Sequence, residues 1–428
     1  MSPARYDAVV IGCGPGGSSA ATLLARAGRR VLALEKEVFP RFHIGESLLP
    51  YNRAIFAELG VLPAIEAAGF PKKHGAQFHL GDGSQTTRFL FREGRFTREP
   101  MAIQVERAVF DHLLLKHTRA CGAEVREGWS AQRFRVAAEG LTVEARGPTG
   151  TLEAFQTSFL IDASGRANLT GNQENLRLIH PRLKKVALFG HFTGVRLDAG
   201  EPGGDTVIVR LENKWFWVIP ISAAKTSVGL VMDKEEFARD GSAPEEVLNR
   251  WIACSPPMSD RMRAACRVGD LQTTADFSYY NRRFVGPRLL RVGDAAGFMD
   301  PIFSAGVFLA MYSGKLAAQV VHDSLQRGSD GRRDLVAYEG RVRAAMRFYW
   351  RMVEQFYTTP FIELFMQPRN NLDLPSAVNA VLAGELAGGW GLRWRLRVFF
   401  LLVRLQALWP LVPRLRLKPD AGSGAPLP

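Results

Sequence analysis

Residues 6–35 decide the fold: they read YDAVVIG, then CGPGGSSAATLLARAG, then RRVLALE. The first and last segments contain short apolar runs, a pattern typical of parallel strands that are covered on both faces. The segment between them begins with glycines and continues with helix-forming residues. Together they predict a strand–turn–helix–strand unit, with which an α/β fold begins.

The glycines of this unit follow the spacing G-x-G-x-x-G, at Gly12, Gly14 and Gly17. Gly12 permits the tight turn, Gly14 lets a pyrophosphate approach the backbone, and Gly17 lets the helix pack on the strand. Glu35 ends the second strand, where an acid accepts hydrogen bonds from a ribose diol. The sequence therefore predicts a dinucleotide-binding site, and this motif alone leaves FAD and NAD both open.

The composition is that of a globular chain with excess positive charge. Of 428 residues, 46% are hydrophobic and 23% are charged, which excludes a disordered, collagen-like or disulfide-scaffold protein. The 55 basic and 42 acidic side chains leave a net charge of +13, which predicts an anionic partner such as a lipid surface or an acidic protein. Nucleic-acid binding is not expected, because no recognisable binding module accompanies the charge.

Cysteine spacing and hydropathy indicate a cytoplasmic protein without a metal site. The four cysteines lie far apart and form no CxxC pair, which argues against zinc and against a disulfide framework. The first predicted strand begins at Tyr6 and leaves no room for a signal peptide. No apolar run approaches the roughly 18 residues that are needed to span a bilayer.

A second cofactor motif lies at residues 291–301, RVGDAAGFMDP. Asp294 follows a buried strand, where its carboxylate can accept a ribityl hydroxyl and the next helix N-terminus can face phosphates. The alternative for Asp294 is a helix cap. With the intermediate segment DASGR (162–166), the motif favours FAD over NAD, and the sequence has no second G-x-G-x-x-G for a separate nicotinamide site.

Three further segments carry a resemblance to one enzyme family. WFWVIP (215–220) fits WxWxIP, FMDPIFSAG (298–306) fits FxxPxxSxG, and FPRFHIGESLLP occupies 39–50. With these motifs the sequence resembles the flavin-dependent halogenases, the tryptophan halogenase family, from its N-terminus to about residue 310. The first two signatures are fairly specific, whereas the glycine motifs are shared with the wider hydroxylase-like group.

The resemblance implies an α/β protein with a glutathione-reductase-like FAD-binding domain (hydroxylase variant), an antiparallel β substrate domain and a helical C-terminus. The β-rich segments TVIVRL, WFWVIPI and TSVGLVM support the second domain. We predict that the FAD-binding domain is discontinuous and comprises 1–75, 100–185 and 285–333. The substrate domain then covers 76–99 and 186–284, and residues 334–428 form the helical region with a basic amphipathic tail.

The resemblance also implies a reaction path. Such enzymes use FADH2, O2 and chloride or bromide to form hypohalous acid beside the flavin. The bulky strand, here Trp215, Trp217, Ile219 and Pro220, is a barrier between flavin and substrate. The oxidant then passes through a tunnel to a lysine beside the substrate, and Lys73 in KKHGAQF occupies that position.

Lys73 and Ser304 are the implied catalytic residues. The Lys73 ammonium can hydrogen-bond hypohalous acid, or its free amine can form a haloamine. The alternative is a solvated turn at Lys72 and Lys73, and the other motifs favour a catalytic Lys73. Ser304 is placed to bridge the following loop and Lys73, or to cap a helix.

Backbone N–H groups of Ala305 and Gly306 lead into a helix and form a small anion-binding concavity, which we predict to hold the halide. The residues that the resemblance assigns to cofactor binding are Gly12, Gly14, Gly17, Glu35, Lys36, Arg41, Ser47, Arg107, Asp294, Pro301 and Gly306.

One position departs from the tryptophan-specific pattern. Tryptophan halogenases carry a glutamate immediately before the serine of FxxPxxSxG, whereas this chain has Phe303. An apolar residue there is the pattern of halogenases that act on phenols and pyrroles, whose rings are already electron-rich. We therefore expect an activated aromatic substrate, with Phe303 as part of the barrier.

The C-terminal segment from 388 onward carries seven Arg or Lys and one acid. One interpretation is an interfacial helix at the inner membrane face, with Arg393, Arg395, Arg397 and Arg404 toward headgroups. A second is docking of an acidic acyl-carrier protein. The third is a terminal helix that packs on the substrate domain.

The sequence therefore predicts FADH2-, O2- and halide-dependent halogenation of a free or carrier-tethered aromatic, with FADH2 from a separate flavin reductase. One alternative is a flavin monooxygenase or a geranylgeranyl-reductase-like enzyme. A second is a membrane-peripheral flavoprotein without halogenating activity.

Overall fold

The computed structural model of the chain describes residues 5–137, 139–275, 278–369, 371–386 and 389–417. Among these residues, a first sheet contains eight strands, numbered with all others in chain order: β1 (Tyr6–Ile11), β2 (Val31–Glu35), β7 (Glu124–Glu127), β8 (Ser130–Ala137), β9 (Gly140–Arg146), β10 (Leu152–Asp162), β18 (Val285–Gly286) and β19 (Leu289–Arg291). The central β1 pairs in parallel with β10 and β2. The predicted strand–turn–helix–strand unit is confirmed, with α1 (Pro15–Arg26) between β1 and β2.

A second sheet contains seven strands: β4 (Gly75–Leu80), β5 (Thr86–Leu90), β12 (Lys185–Thr193), β13 (Thr206–Arg210), β14 (Trp215–Pro220), β15 (Thr226–Asp233) and β16 (Cys266–Ala275). The strand order is β16-β12-β15-β14-β13-β4-β5. The predicted antiparallel pairing is confirmed for every neighbouring pair except β13 and β4, which run parallel. The exact boundaries of the two domains stay a prediction.

Two small sheets and the helices complete the described fold. The short strands are β3 (Lys72–Lys73), β6 (Ala102–Ile103), β11 (Arg177–Ile179), β17 (Tyr279–Asn281) and β20 (Gly297–Phe298). The other helices are α2 (Asn52–Leu59), α3 (Leu62–Ala67), α4 (Arg107–Ala120), α5 (Leu169–Gln173), α6 (Lys234–Asp240), α7 (Pro244–Ala253), α8 (Pro256–Met262), α9 (Gly306–Gln326), α10 (Arg332–Phe356), α11 (Thr359–Met366), α12 (Leu374–Ala383) and α13 (Trp390–Leu408). The helical C-terminal region is thus confirmed.

Close packing of α1 on α9 fixes the geometry at the start of the cofactor motif. A Cβ atom on Gly314 would lie 2.3 Å from the carbonyl oxygen of Gly16, and one on Gly16 would lie 2.8 Å from Val292 Cγ1. Such contacts leave no room for a side chain, so glycine lets the two helices approach. The first glycine motif and the late FxxPxxSxG segment therefore lie side by side.

Strand β14 contributes to two separate hydrophobic cores. Trp215, Trp217 and Ile219 point into the larger core, which also contains residues of β1, α1 and β2. Phe216 and Val218 point into a core formed within the second sheet and its helices. This alternation follows from the two-residue period of a strand. All six residues of β14 are buried.

The basic tail forms α13, which packs on the protein through one face. Its buried residues are Leu392, Leu396, Phe399, Phe400, Val403 and Gln406. Its exposed residues include Trp390, Arg393, Arg397, Leu401, Arg404 and Leu408, which we call the outer face of α13. The helix therefore packs on the protein through one face, but mainly against α11 and α12 and not, as the third interpretation expected, against the substrate domain. Residues 418–428 lie outside the described residues.

Arg395 differs from the sequence-based expectation, because it does not project outward with its neighbours. Its Nε donates to the Leu372 carbonyl at 2.8 Å, and its guanidinium lies 4.4 Å from the centroid of the Trp394 ring. In the part of the chain that the structure describes, no helix is both long and apolar enough to cross a bilayer.

Candidate active site

The G-x-G-x-x-G turn forms an open cradle at the end of β1. Gly12 has a φ of 92°, and a Cβ there would lie 2.4 Å from the Ala163 carbonyl oxygen. A Cβ on Gly17 would overlap the Gly12 carbonyl oxygen at 1.9 Å. By contrast, a Cβ on Gly14 would find only the Arg41 Nη2 atom within 4 Å, at 3.8 Å. The space beside Gly14 and the N-terminus of α1 therefore fits a pyrophosphate group.

Glu35 lies buried at the end of β2, beside this turn. Its Oε2 accepts a hydrogen bond from the Cys13 backbone N–H at 2.7 Å, and its Oε1 accepts one from the Glu37 N–H at 2.9 Å. Burial raises the pKa of Glu35, and the two N–H donors oppose that rise. The carboxylate is therefore held in one orientation, with remaining lone pairs available to ribose hydroxyls.

A cavity of about 410 Å³ extends from this turn to β14. Among the residues predicted from sequence, those that line it are Gly12, Gly14, Glu35, Lys36, Arg41, Ser47, Arg107, Trp215, Trp217, Ile219, Asp294, Pro301, Ser304 and Gly306. Gly17, Lys73, Pro220, Phe303 and Ala305 are not part of its wall. We call it the main cavity, and its open cradle, glycine turn and buried acid fit FAD.

Two arginines are fixed in the wall of the main cavity by one buried acid. Arg107 donates to both carboxylate oxygens of Asp111 at 2.8 Å, and Arg41 Nη1 lies 2.8 Å from Asp111 Oδ2. Burial acts to raise the pKa of Asp111, but the two guanidinium groups hold it below its ordinary value. Arg107 Nη1 also donates to the Ile44 carbonyl at 2.7 Å. Positive charge is therefore held beside the site proposed for phosphates.

Asp294 lies in a single 3-10 turn that follows β19, at the wall of the same cavity. Burial raises its pKa to about 6, and the charges of Arg107 and Arg166 act in the opposite direction. The backbone carbonyl of Asp294 accepts a hydrogen bond from Tyr279 Oη at 2.7 Å. The Asp294 backbone is thus fixed beside the cavity, and a hydrogen bond from a ribityl hydroxyl to its carboxylate stays a prediction.

Lys73 is buried just behind the wall of the main cavity. It is 2% exposed, and its Nζ donates to Ser47 Oγ at 2.9 Å and to the Leu48 carbonyl at 3.1 Å. Burial lowers its pKa to about 7, while the charge of Asp205 acts to raise it. Lys72 is exposed, because the pairing of β3 with β6 turns alternate residues to opposite sides. The solvated-turn interpretation therefore fails for Lys73.

Ser47 connects Lys73 to the main cavity. Its hydroxyl lies 2.8 Å from Thr206 Oγ1, and Ser47 and Thr206 both line the cavity. Sequence reasoning placed Ser304 beside Lys73, whereas the hydrogen bonds that Lys73 donates in the described structure go to Ser47 and Leu48. The reason is that an isolated bridge between Ser47 and Gln104 draws the 46–48 segment against β3 and β6.

Ser304 lies in the loop before α9 with a φ of 55°. Its backbone N–H donates to the Pro301 carbonyl at 2.9 Å, and the residue lines the main cavity together with Gly306. Ala305 is buried and immediately precedes α9. The first N–H groups of a helix have no intrahelical acceptor, so this loop is suited to an anion.

The WxWxIP strand contributes Trp215, Trp217 and Ile219 to the wall of the main cavity. The rings of Trp215 and Trp217 have centroids 5.8 Å apart. Their N–H groups donate to Tyr357 Oη at 2.8 Å and to Ser227 Oγ at 3.0 Å. Phe303 belongs to the 300–306 segment before α9, which we call the halide loop after its predicted role, and packs edge-on against Phe356 with centroids 5.8 Å apart. These hydrogen bonds and ring contacts hold the predicted barrier residues in place.

Sequence reasoning missed Thr206 and Tyr357, which hydrogen-bond to the predicted residues Ser47 and Trp215, and Asp300, which hydrogen-bonds to Tyr357. Thr206 belongs to a plain β-strand, and Tyr357 immediately follows an amphipathic helix, so no local pattern marks either one. Asp300 was visible within FxxPxxSxG as a variable position of the motif. The structure adds that Asp300 is only 2% exposed, and a charged group buried to this degree indicates a specific contact.

The fold and the site define a class: an α/β flavoprotein with a hydroxylase-type FAD domain and a β-sheet that covers the flavin cavity. The tryptophan halogenase family model matches residues 7–99 and 84–381. The chain therefore belongs to the tryptophan halogenase family and is an FAD-dependent halogenase, which uses FADH2 and a halide.

The relatives agree with this assignment. The chain is 30% identical over 399 residues to a 1H-pyrrole-2-carbonyl-[peptidyl-carrier protein] chlorinase of Pseudomonas fluorescens, covering 87% of this chain and 89% of the relative. It is 35% identical over 355 residues to a tryptophan 2-halogenase of Chondromyces crocatus, covering 82% and 65%. The solved structure of the flavin-dependent brominase Bmp2 matches with a TM-score of 0.84 and 29% identity, covering 94% of this chain and all of that one.

Proposed function

We propose that the chain halogenates an electron-rich ring, of pyrrole or phenol type, presented as an acyl group on a carrier protein. The observation that carries the mechanism is the buried Lys73 amine, hydrogen-bonded at 2.9 Å to Ser47 in the wall of the main cavity. The substrate class is supported by the chlorinase relative and by Phe303 in place of an acid. The tryptophan 2-halogenase relative makes free tryptophan the competing substrate.

When bound, the cofactor supplies oxidising chemistry: one FADH2, one O2, one halide ion and one proton yield FAD, hypohalous acid and water. The protein holds the reactants in place. The cradle at Gly14 and the charges of Arg41 and Arg107 would bind the phosphates of the cofactor. The Asp294 carboxylate would accept a hydrogen bond from a hydroxyl group of the ribityl chain. The N–H group of Gly306, in the wall of the same cavity, and that of Ala305, next to it, hold the halide.

Lys73 acts as the free amine. Its two donated hydrogen bonds to Ser47 and Leu48 use two N–H groups and leave a lone pair, and a pKa lowered by burial to about 7 makes the amine available near neutrality. The amine nitrogen attacks the halogen of hypohalous acid, an N–halogen bond forms, and water leaves. The ring then takes the halogen, loses a proton and restores the amine.

The barrier separates these two steps in space. Trp215, Trp217 and Ile219 present a continuous apolar surface to the main cavity. A ring-sized substrate on the Lys73 side is thereby kept from the flavin, so direct hydroxylation is suppressed. Hypohalous acid reaches Lys73 past the Ser47 and Thr206 hydroxyls, which are hydrogen-bonded to each other at 2.8 Å and separate to hydrogen-bond the oxidant.

Two protein partners follow from this proposal. A separate flavin reductase supplies FADH2, because the sequence has one G-x-G-x-x-G and the FAD site uses it. The carrier protein docks on the outer face of α13, which carries arginines and no acid. A peripheral contact of the same face with the inner membrane surface stays the competing prediction.

The test is a mass-spectrometric assay with FAD, a flavin reductase, NADH, O2 and bromide. We offer pyrroles and phenols both free and as carrier-bound thioesters, together with tryptophan, and include Lys73→Ala. A bromine isotope doublet on a carrier-bound ring, absent in the variant, is the expected result. Bromination of tryptophan alone overturns the substrate class. Oxygen insertion without bromine overturns halogenation of these rings and favours monooxygenase chemistry.

A further inference from the structure

We infer that Tyr357, immediately after α10, is a positioning residue that joins the barrier strand to the halide loop. The inference rests on the proposed function, since it assigns Tyr357 a task in oxidant formation at the main cavity. It concerns the C-terminal helical region, to which the sequence motifs attribute no part of the chemistry.

Two hydrogen bonds meet at the Tyr357 hydroxyl. The hydroxyl accepts from Trp215 Nε1 at 2.8 Å and donates to Asp300 Oδ2 at 2.6 Å. Trp215 belongs to the barrier strand, and Asp300 precedes Pro301 at the start of the halide loop. One side chain therefore links two segments that each contribute residues to the wall of the main cavity.

Asp300 transmits this link to the halide loop. Its Oδ1 accepts from the Ile302 backbone N–H at 3.2 Å, which stabilises the tight turn over Pro301–Phe303. Ser304 and the helix N-terminus follow directly. The position of the Asp300 carboxylate therefore determines where the halide-binding N–H groups begin.

The ring of Tyr357 is fixed independently of its hydroxyl. Lys185 Nζ lies 3.9 Å from the ring centroid, and the Arg210 guanidinium lies 5.5 Å from it. Phe356, the preceding residue, packs against Phe303 at 5.8 Å. Burial, with the charge of Asp300 next, raises the pKa of the Tyr357 hydroxyl well above its ordinary value, so the hydroxyl keeps its proton and donates.

Without the hydroxyl, the Trp215 N–H and one Asp300 oxygen lose a shared buried partner. The ring contacts stay, so the change acts on the relative position of barrier and loop and leaves the packing of α10 intact. A displaced loop binds halide more weakly. The reaction of FADH2 with O2 then releases hydrogen peroxide, and less halide is oxidised.

The test compares Tyr357→Phe with Tyr349→Phe, a matched control. Tyr349 is buried in α10, the helix that Tyr357 follows, and its hydroxyl donates to the Val381 carbonyl at 3.2 Å, away from both segments. We measure hydrogen peroxide released per FADH2 reoxidised over a bromide titration, without aromatic substrate. FAD affinity and near-ultraviolet circular dichroism of the tryptophan bands are recorded in parallel.

For Tyr357→Phe we expect the bromide concentration that half-suppresses peroxide release to rise about tenfold, the factor that corresponds to one lost hydrogen bond. The tryptophan bands should change in this variant alone, with FAD affinity as in the wild type. A half-suppressing bromide concentration that is unchanged in Tyr357→Phe overturns the inference. An equal rise of that concentration in Tyr349→Phe overturns it as well. If bromide fails to suppress peroxide release even in the wild type, the halogenase function itself fails, and the tryptophan bands still test the link.

Discussion

Lys73 Nζ lies 2.9 Å from Ser47 Oγ, and Ser47 lines the main cavity whereas Lys73 does not. One hydroxyl group therefore separates the buried amine from the space that fits the flavin. Under the proposed function, an oxidant formed in the cavity would reach the lysine past this hydroxyl, and the tryptophans of β14 would keep larger molecules out.

The Lys73 side chain should be required for halogen transfer and dispensable for the cofactor. We expect Lys73→Ala to lose halogenated product by at least about a hundredfold, in the range found when a catalytic group is removed. FAD affinity should change little, because Lys73 lies outside the wall of the main cavity. The exposed neighbour supplies the control: Lys72→Ala should retain product. Product formed equally by both variants removes Lys73 from the mechanism.

The pH dependence should follow the titration of Lys73. Its pKa, lowered by burial to about 7, means that the side chain is an ammonium group below that pH and an amine above it. Because only the amine has a lone pair for halogen, we expect the rate of halogenation to rise with pH through about 7. FAD occupancy must be checked at each pH, because Asp294 titrates at about 6. A rate that falls over this range indicates instead that the ammonium hydrogen-bonds the oxidant.

Cofactor binding should depend on the empty space beside Gly14. Gly14→Val places methyl groups where the pyrophosphate approaches, and we expect the Kd for FAD to rise between about fivefold and about a hundredfold, since overpacking of this kind costs about 1–3 kcal/mol. Absorbance of the purified protein and a FAD titration measure the effect. Gly340→Ala is the control, because a Cβ there meets nothing within 4 Å. An unchanged flavin spectrum in Gly14→Val contradicts the assignment of this turn to FAD.

Docking on α13 should depend on its outward arginines. We expect Arg397→Gln with Arg404→Gln to raise KM for a carrier-bound pyrrole thioester several-fold, about what loss of two surface charge contacts produces. KM for the same thioester on free pantetheine should be unchanged. Arg332→Gln with Arg333→Gln removes equal charge from an exposed part of α10 and is the control.

A different result for the α13 double variant would indicate a membrane contact. If the α13 double variant keeps its KM for the carrier but no longer sediments with anionic vesicles, the face serves a membrane surface. Truncation is a poor substitute for these variants, because α13 buries Leu396, Phe399 and Val403 and its removal would expose the core beneath.

The sequence predicted best what is local in the chain. The strand, the glycine turn and Glu35 are sequence neighbours, and each glycine meets a steric demand that the spacing already expresses. The position of Lys73 required the resemblance, because its burial comes from pairing with Ala102 in β6. The Tyr357–Asp300 contact joins residues 57 positions apart, and no periodicity reports such a contact.

The two-sided burial of β14 has a consequence for how such a protein can diversify. Trp217 shapes the flavin compartment, while Phe216 stabilises the neighbouring core of the second sheet. Consecutive residues of the strand point to opposite faces. Substitutions on the face toward the main cavity can therefore change the shape of that cavity, while unchanged residues on the other face maintain the stability of the fold. The strand therefore separates selection for chemistry from selection for folding within six residues.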